Sequence, residues 1–249
     1  MCGRYVIAGV HELSERFQLR TIPLDLQPTW NAAPQQRLPV VVEDADGERQ
    51  LRLMQWGLLP RWQRPGQRPI APINARAETL AEKPMFRSLF RRSRCVVPAD
   101  GFYEWRAVDG RKQPFYVAPA DGGLWGLAGL WDEAPGEGGE PLDSFTIVTT
   151  AANPLLSRLH DRMPVILRPE DEEIWLSREV DETGPLEPLL RAWPEAGIRL
   201  GPVSPAVNNV RNNRPDLTEP LADDEPDGDD APTPGRGTGD DPSMPRLIP

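Results

Sequence analysis

Residues 94–105 read Arg94-Cys95-Val96-Val97-Pro98-Ala99-Asp100-Gly101-Phe102-Tyr103-Glu104-Trp105. A short apolar run ends at Pro98, and Asp100-Gly101 supplies turn chemistry. An acid among aromatics follows, so the stretch reads as strand, turn, then an acid between aromatics, either partly buried by them or exposed. The same rhythm, short apolar runs between Gly and Pro, extends in both directions. Residues 6–8, 38–42, 51–55, 95–97, 115–117, 124–130, 145–149 and 164–167 read as strands. Helical patterns are fewer. Residues 11–17 place apolar Leu13 and Phe17 four apart, 169–176 open on Pro-Glu-Asp, and 153–159 and 183–191 are short candidates. Many short strands with few helices imply an α+β fold with a mainly antiparallel, barrel-like sheet and a few flanking helices. No Gly-rich phosphate loop follows a strand, which excludes a Rossmann or P-loop reading.

The chain has 249 residues, 39% of them hydrophobic, enough for one domain and a tail. Residues 1–218 read as the domain. Residues 219–249 read as an acidic, Pro/Gly-rich disordered tail. That tail carries nine acids against two bases, so seven of the ten net negative charges lie there. An overall acidic balance therefore does not exclude nucleic acid, because binding depends on where charge lies. No apolar run is long enough for a membrane span, and the N-terminus lacks a signal-peptide core. A protein that stays in the cytoplasm or with the chromosome is expected, without a membrane partner and as a monomer. Two cysteines and two histidines exclude a disulfide framework and a Cys- or His-rich zinc site. No metal and no cofactor are expected.

Cys2 is the first chemical candidate. A small residue at position 2 permits removal of Met1, leaving a cysteine with a free α-amine. Such an amine has a pKa of about 7.7–8, well below that of lysine. Amine and thiol two carbons apart suit aldehydes: the amine forms a Schiff base and sulfur closes it to a five-membered thiazolidine. Asn74 and Arg76 lie two apart and share a side if the segment is extended; an amide with a guanidinium can hold an amine and a phosphate. Glu104, flanked by Tyr103 and Trp105, should have a raised pKa if buried, which suits proton transfer. His160 suits proton shuttling, with Asp161 beside it as a candidate orienter. His11 reads as structural.

Aromatic and basic residues suggest a nucleic-acid surface. Trp56 reads as a core residue and Trp62, beside Arg61 and ahead of Arg64 and Arg68, as a stacking candidate. Arg87, Arg91, Arg92 and Arg94 form either a second phosphate contact or a solvated helix face.

Seven segments together resemble the SOS response-associated peptidase family, whose members process abasic sites. They are Met1-Cys2-Gly3-Arg4-Tyr5, Trp30-Asn31-Ala32-Ala33-Pro34, Trp56-Gly57-Leu58-Leu59-Pro60, Asn74-Ala75-Arg76 and Ala99-Asp100-Gly101-Phe102-Tyr103-Glu104-Trp105. Val148-Thr149-Thr150-Ala151-Ala152 and His160-Asp161-Arg162-Met163-Pro164 complete the seven, and Val203-Ser204-Pro205-Ala206-Val207-Asn208 extends the match. The resemblance implies a sheet-rich α+β fold with a basic cleft, and a thiazolidine between Cys2 and an abasic site in single-stranded DNA. It implies Cys2 as nucleophile, Asn74 positioning the amine or sugar, and Glu104 and His160 moving protons, including for ring opening and reversal. Arg4, Arg76, Thr149 and Arg162 would hold phosphates, with Asn31 and Pro34 at the DNA junction. Trp62 is followed by Gln63 where the family often has a second aromatic, which bears on the stacking wedge. The family name also implies a thiol autopeptidase and lyase-type chemistry, although an ordinary aminopeptidase would expose Cys2. Two other readings compete: an N-terminal-nucleophile amidohydrolase of the glutamine amidotransferase kind, whose later motifs are missing, and a non-catalytic single-stranded DNA-binding module.

Overall fold

A computed structural model describes residues 2–23, 25–63, 70–108, 110–136 and 140–221. Arg64, Arg68 and the tail from 222 onward lie outside the described residues. The α+β expectation holds: the strands form two sheets, and three short α-helices flank them.

The first sheet runs β13 (Ile198–Pro202), β8 (Arg111–Pro119), β7 (Gly101–Val108), β1 (Tyr5–Ile7) and β2 (Thr29–Ala32), all antiparallel. The second closes on itself. β3 (Arg37–Glu43) pairs β4 (Arg49–Trp56) and β6 (Arg94–Ala99), β6 pairs β9 (Trp125–Pro135), and β9 pairs β10 (Pro141–Ala151). β10 then meets β4 in parallel and completes a five-strand ring. Three short strands extend the ring: β5 (Asn74–Arg76) and β11 (Arg162–Pro164) on β10, and β12 (Ile166–Leu167) on β9. Closure removes most free edges, which would otherwise invite pairing with other chains.

The quoted stretch 94–105 is where the chain leaves one sheet for the other. β6 belongs to the barrel and β7 to the open sheet, and Asp100 is the corner. Its carboxylate accepts from the backbone N–H of Ala8 at 2.6 Å and of Gly9 at 3.1 Å, which ties the corner to the end of β1. Gly101 is required there, because a Cβ would sit 2.4 Å from the Val117 carbonyl oxygen. A similar approach occurs inside the barrel. A Cβ on Gly129 would lie 2.7 Å from the Cys95 sulfur, so β6 and β9 pack closer than side chains on both would allow.

The core fills the barrel and the space under the open sheet. Trp56 is fully buried, edge-on to Tyr5 at 5.2 Å and stacked on Phe145 at 6.3 Å, as its sequence setting suggests. α1 (Leu13–Phe17) buries Leu13 and Phe17, and α3 spans Pro169–Leu176 as its Pro-Glu-Asp opening predicts. The two helical candidates at 153–159 and 183–191 shrink to single 3-10 turns, Leu156–Arg158 and Glu187–Leu189. Pro185 and Pro188 cannot donate the backbone bonds that an α-helix needs in the second. α2 (Pro84–Arg92) buries Phe86, Leu89 and Phe90 on one face.

Arg94 corrects the sequence reading of the arginine cluster. It is neither solvated nor a phosphate contact. It is buried, and its guanidinium donates to the carbonyls of Trp175 at 2.6 Å, Phe90 at 2.9 Å and Val180 at 2.8 Å. Burial pulls its pKa down to about 10. It acts as a brace between β6, α2 and the segment after α3. Among the described residues no helix is long and apolar enough to cross a membrane.

Candidate active site at the seam between the sheets

The two sheets contribute different groups to one place. Cys2 leads into β1 and Glu104 lies on β7. These strands pair antiparallel with Tyr5 opposite Phe102, and the Tyr103 N–H donates to the Arg4 carbonyl at 3.0 Å. Carried two residues further, that register brings Glu104 alongside Gly3 and next to Cys2. The barrel faces them with β5. Its Asn74 donates from Nδ2 to the Cys2 carbonyl at 2.9 Å. Asn74 Oδ1 is buried and has no hydrogen-bond partner among the described residues.

Burial dominates the electrostatics. Cys2 is fully buried, and desolvation pushes its thiol far above the usual range, with the Glu104 charge pushing the same way. Before any ligand arrives the sulfur is therefore held as a neutral thiol. Glu104 is also buried, and desolvation raises its carboxyl above the usual carboxylate range, while the electrostatic influence of nearby His160 opposes this. Those influences place Glu104 within electrostatic reach of both Cys2 and His160. His160 sits in the loop before β11. Its Nδ1 accepts from the Arg162 N–H at 3.0 Å and lies 2.7 Å from a carboxylate oxygen of Asp161. The first contact needs the unprotonated ring nitrogen and the second the protonated one, so the residue has a partner in either state.

β5, β10 and β11 lie side by side, with Thr149 opposite Arg76 and Ala151 opposite Arg162. Arg76 is exposed. Thr149 is buried and its hydroxyl donates to the Ala75 carbonyl at 3.4 Å, so it reaches solvent only through its neighbours. Arg162 donates from both terminal nitrogens to the two carboxylate oxygens of Glu78, at 2.7 and 2.8 Å, and also to the Thr149 carbonyl at 2.5 Å. Arg162 holds the Glu78 carboxyl below its usual range.

On the open-sheet side, Arg4 is half-buried and donates from one nitrogen to Asn31 Oδ1 at 2.8 Å and to the Val207 carbonyl at 3.0 Å. Asn31 is buried and its amide donates to the carbonyls of Val207, Asn209 and Asn212. It acts on the surface through Arg4 and the segment it clamps. Trp105 Nε1 holds the same segment through Asn208 Oδ1 at 2.7 Å. Pro34 is half-buried in the turn after β2. Trp62 is 57% exposed, while its neighbour Arg61 is tied to Asp132 by three bonds of 2.8–2.9 Å.

Sequence reasoning missed Glu78 and the 207–212 clamp. Glu78 lies two residues beyond the Asn74-Ala75-Arg76 segment, but its partner is 84 residues away, and nothing local pairs them. Among the described residues no group of three or more His, Cys, Asp or Glu is arranged to hold a metal ion.

The family model described as SOS response associated peptidase (SRAP) matches residues 1–210. The chain is 37% identical over 223 residues to abasic site processing protein YoqW of Bacillus subtilis, covering 88% of this chain and 99% of that protein. It is 34% identical over 229 residues to abasic site processing protein YedK of Escherichia coli, covering 89% and 100%. It is 37% identical over 219 residues to abasic site processing protein HMCES of Xenopus tropicalis, covering 76% of this chain and 65% of that one. A crystal structure of a Bacteroides thetaiotaomicron protein superposes with a TM-score of 0.78 at 25% identity, covering 88% of this chain and all of the other. A match over this span means that the chain belongs to the SRAP family.

Proposed function

We propose that the protein processes abasic sites by capturing the ring-opened sugar aldehyde in single-stranded DNA through Cys2. The observation that carries this reading is the contact between Asn74 and the Cys2 carbonyl, made beside a buried Glu104. The α-amine and thiol of residue 2 are thereby held next to a carboxyl that can both give and take a proton. Three relatives named as abasic site processing proteins support the substrate class.

The reaction balances on these groups. Removal of Met1 frees the α-amine, which then has the buried Asn74 Oδ1 within its neighbourhood as an acceptor. The amine adds to the aldehyde carbon to give a carbinolamine. Protonated Glu104 gives its proton to the leaving hydroxyl, water departs and an iminium forms. The Glu104 carboxylate then takes the thiol proton as sulfur bonds to the iminium carbon. The thiazolidine closes, the nitrogen ends neutral and Glu104 ends protonated. A neutral thiol before capture, as burial of Cys2 dictates, suits this order because sulfur is activated only after the iminium exists. His160 serves ring opening of the sugar and reversal. Arg76, Arg162 and Arg4 hold the backbone, and exposed Trp62 offers a stacking face for an unpaired base.

The test is intact-mass measurement of the Met1-free protein mixed with an abasic-site oligonucleotide. The expected product has the summed masses less one water. Recovery of unmodified protein only would overturn the proposal. Glutamine hydrolysis without a DNA adduct would instead favour the amidohydrolase reading.

A further inference from the structure

The Arg162 guanidinium is already engaged. Both terminal nitrogens donate to Glu78 in the two-pronged geometry that also suits a phosphate. The side chain of Arg162 is only 11% exposed and that of Glu78 is 50% exposed, so the carboxylate is the more solvent-accessible member of the pair. Arg162 Nε is buried and has no hydrogen-bond partner among the described residues, so the pairing leaves the guanidinium incompletely satisfied. Glu78 stands in the 3-10 turn that follows β5, two residues from exposed Arg76. The Arg76 charge also acts on the Glu78 carboxylate, so the two lie within electrostatic reach of each other.

We infer that Glu78 is a competing anion that occupies the Arg162 fork until a DNA phosphate displaces it, and so sets how weakly the protein holds undamaged DNA. The inference rests on the proposed role of Arg162 in holding phosphate. Two features make the exchange workable. Glu78 borders a cleft of about 390 Å³ lined also by Ala77, Ala81 and Thr150, which gives the displaced side chain room. Glu82 and Glu187 line the same cleft, and their like charge returns the carboxylate to Arg162 once the phosphate leaves. The device is a latch: a lone phosphate pays for displacing a carboxylate, whereas DNA also anchored at Cys2 does not need tight backbone affinity.

The experiment measures binding of an unmodified fluorescent single-stranded oligonucleotide by anisotropy, using the full chain and its E78Q, E78A, R162A and E78Q/R162A forms. Removing the carboxylate should tighten binding about fivefold in both Glu78 variants, the scale of one partly exposed ion pair. In the R162A background the Glu78 substitution should change nothing. A purely structural Glu78 would act in the opposite direction, by releasing Arg162 from its place and weakening binding. Unchanged or weaker binding by E78Q and E78A, with thermal unfolding like the parent's and R162A still impaired, overturns the latch and leaves the phosphate role of Arg162 standing. An R162A protein that binds like the parent overturns that phosphate role and the latch with it.

Discussion

The open sheet and the closed barrel meet at the site, and they bring different kinds of residue. The open sheet carries Cys2, Glu104 and Arg4, two of them buried and shifted by desolvation. The barrel carries Asn74, Arg76, Thr149 and Arg162 on three adjacent strands, with the Arg76 charge exposed and the Arg162 charge paired with half-exposed Glu78. Under the proposed function the contrast has a physical basis. Bond-making needs groups whose proton affinity is set by removal from water, and only an interior provides that. Backbone recognition needs cations that exchange water and counterions for phosphate, which requires access. Joining the two sheets at a corner, through Asp100 and Gly101, places an interior next to a rim.

That division is open to attack by substitution on either side. Cys2→Ala should eliminate the denaturation-resistant product altogether while unmodified single-stranded DNA binds within about twofold of the parent, by gel and anisotropy. A surviving product would move the nucleophile off the open sheet. Glu104→Gln should slow adduct formation by about 100-fold or more at saturating DNA, with binding little changed. The pH profile sharpens this. Burial raises the Glu104 carboxyl, so its acid form persists closer to neutrality than that of an ordinary glutamate. Because the protonated group gives up a proton first, the rate falls as pH rises through that raised pKa, and Glu104→Gln should erase the step.

On the barrel side the effects should be smaller and of another kind. Arg162→Ala should weaken binding about tenfold, as loss of one charge-assisted contact does. It should also lower the salt slope by about 0.7 for one phosphate on a single strand, and leave the rate at saturation unchanged. A lower saturated rate would mean that the two regions are not separable. Trp62→Ala should cost about 1 kcal/mol in binding, the low end for one stacked base. No loss at all would leave the exposed indole without a role in DNA binding.

Much of the fold could be read from residues 94–105 and their like. Turn chemistry at Asp100-Gly101 and short β-rich runs are local signals, and β6 and α3 appear where they imply, while β7 was not assigned as a strand. β2 and β13 escaped because Thr29–Ala32 and Ile198–Pro202 have weak alternation and owe their pairing to neighbouring strands. Arg94 was misread because a buried arginine held by carbonyls looks, in sequence, like any other basic residue. Within the site, Asn74 and Arg76 could be singled out by their spacing, but the Asn74 contact with Cys2 spans 72 residues.

What the chain's order of residues determined alone was the chemical inventory: an aminothiol in waiting at position 2, an acid among aromatics, an Asn-x-Arg pair and a His-Asp-Arg run. These are properties of covalent structure and nearest neighbours. Only the tertiary structure decided that Glu104 is desolvated, that Asn31 spends its amide on the 207–212 segment, and that Glu78 fills the fork of Arg162. Burial and long-range pairing arise when distant segments are packed against each other, and no local pattern encodes the distance between two residues on different sheets.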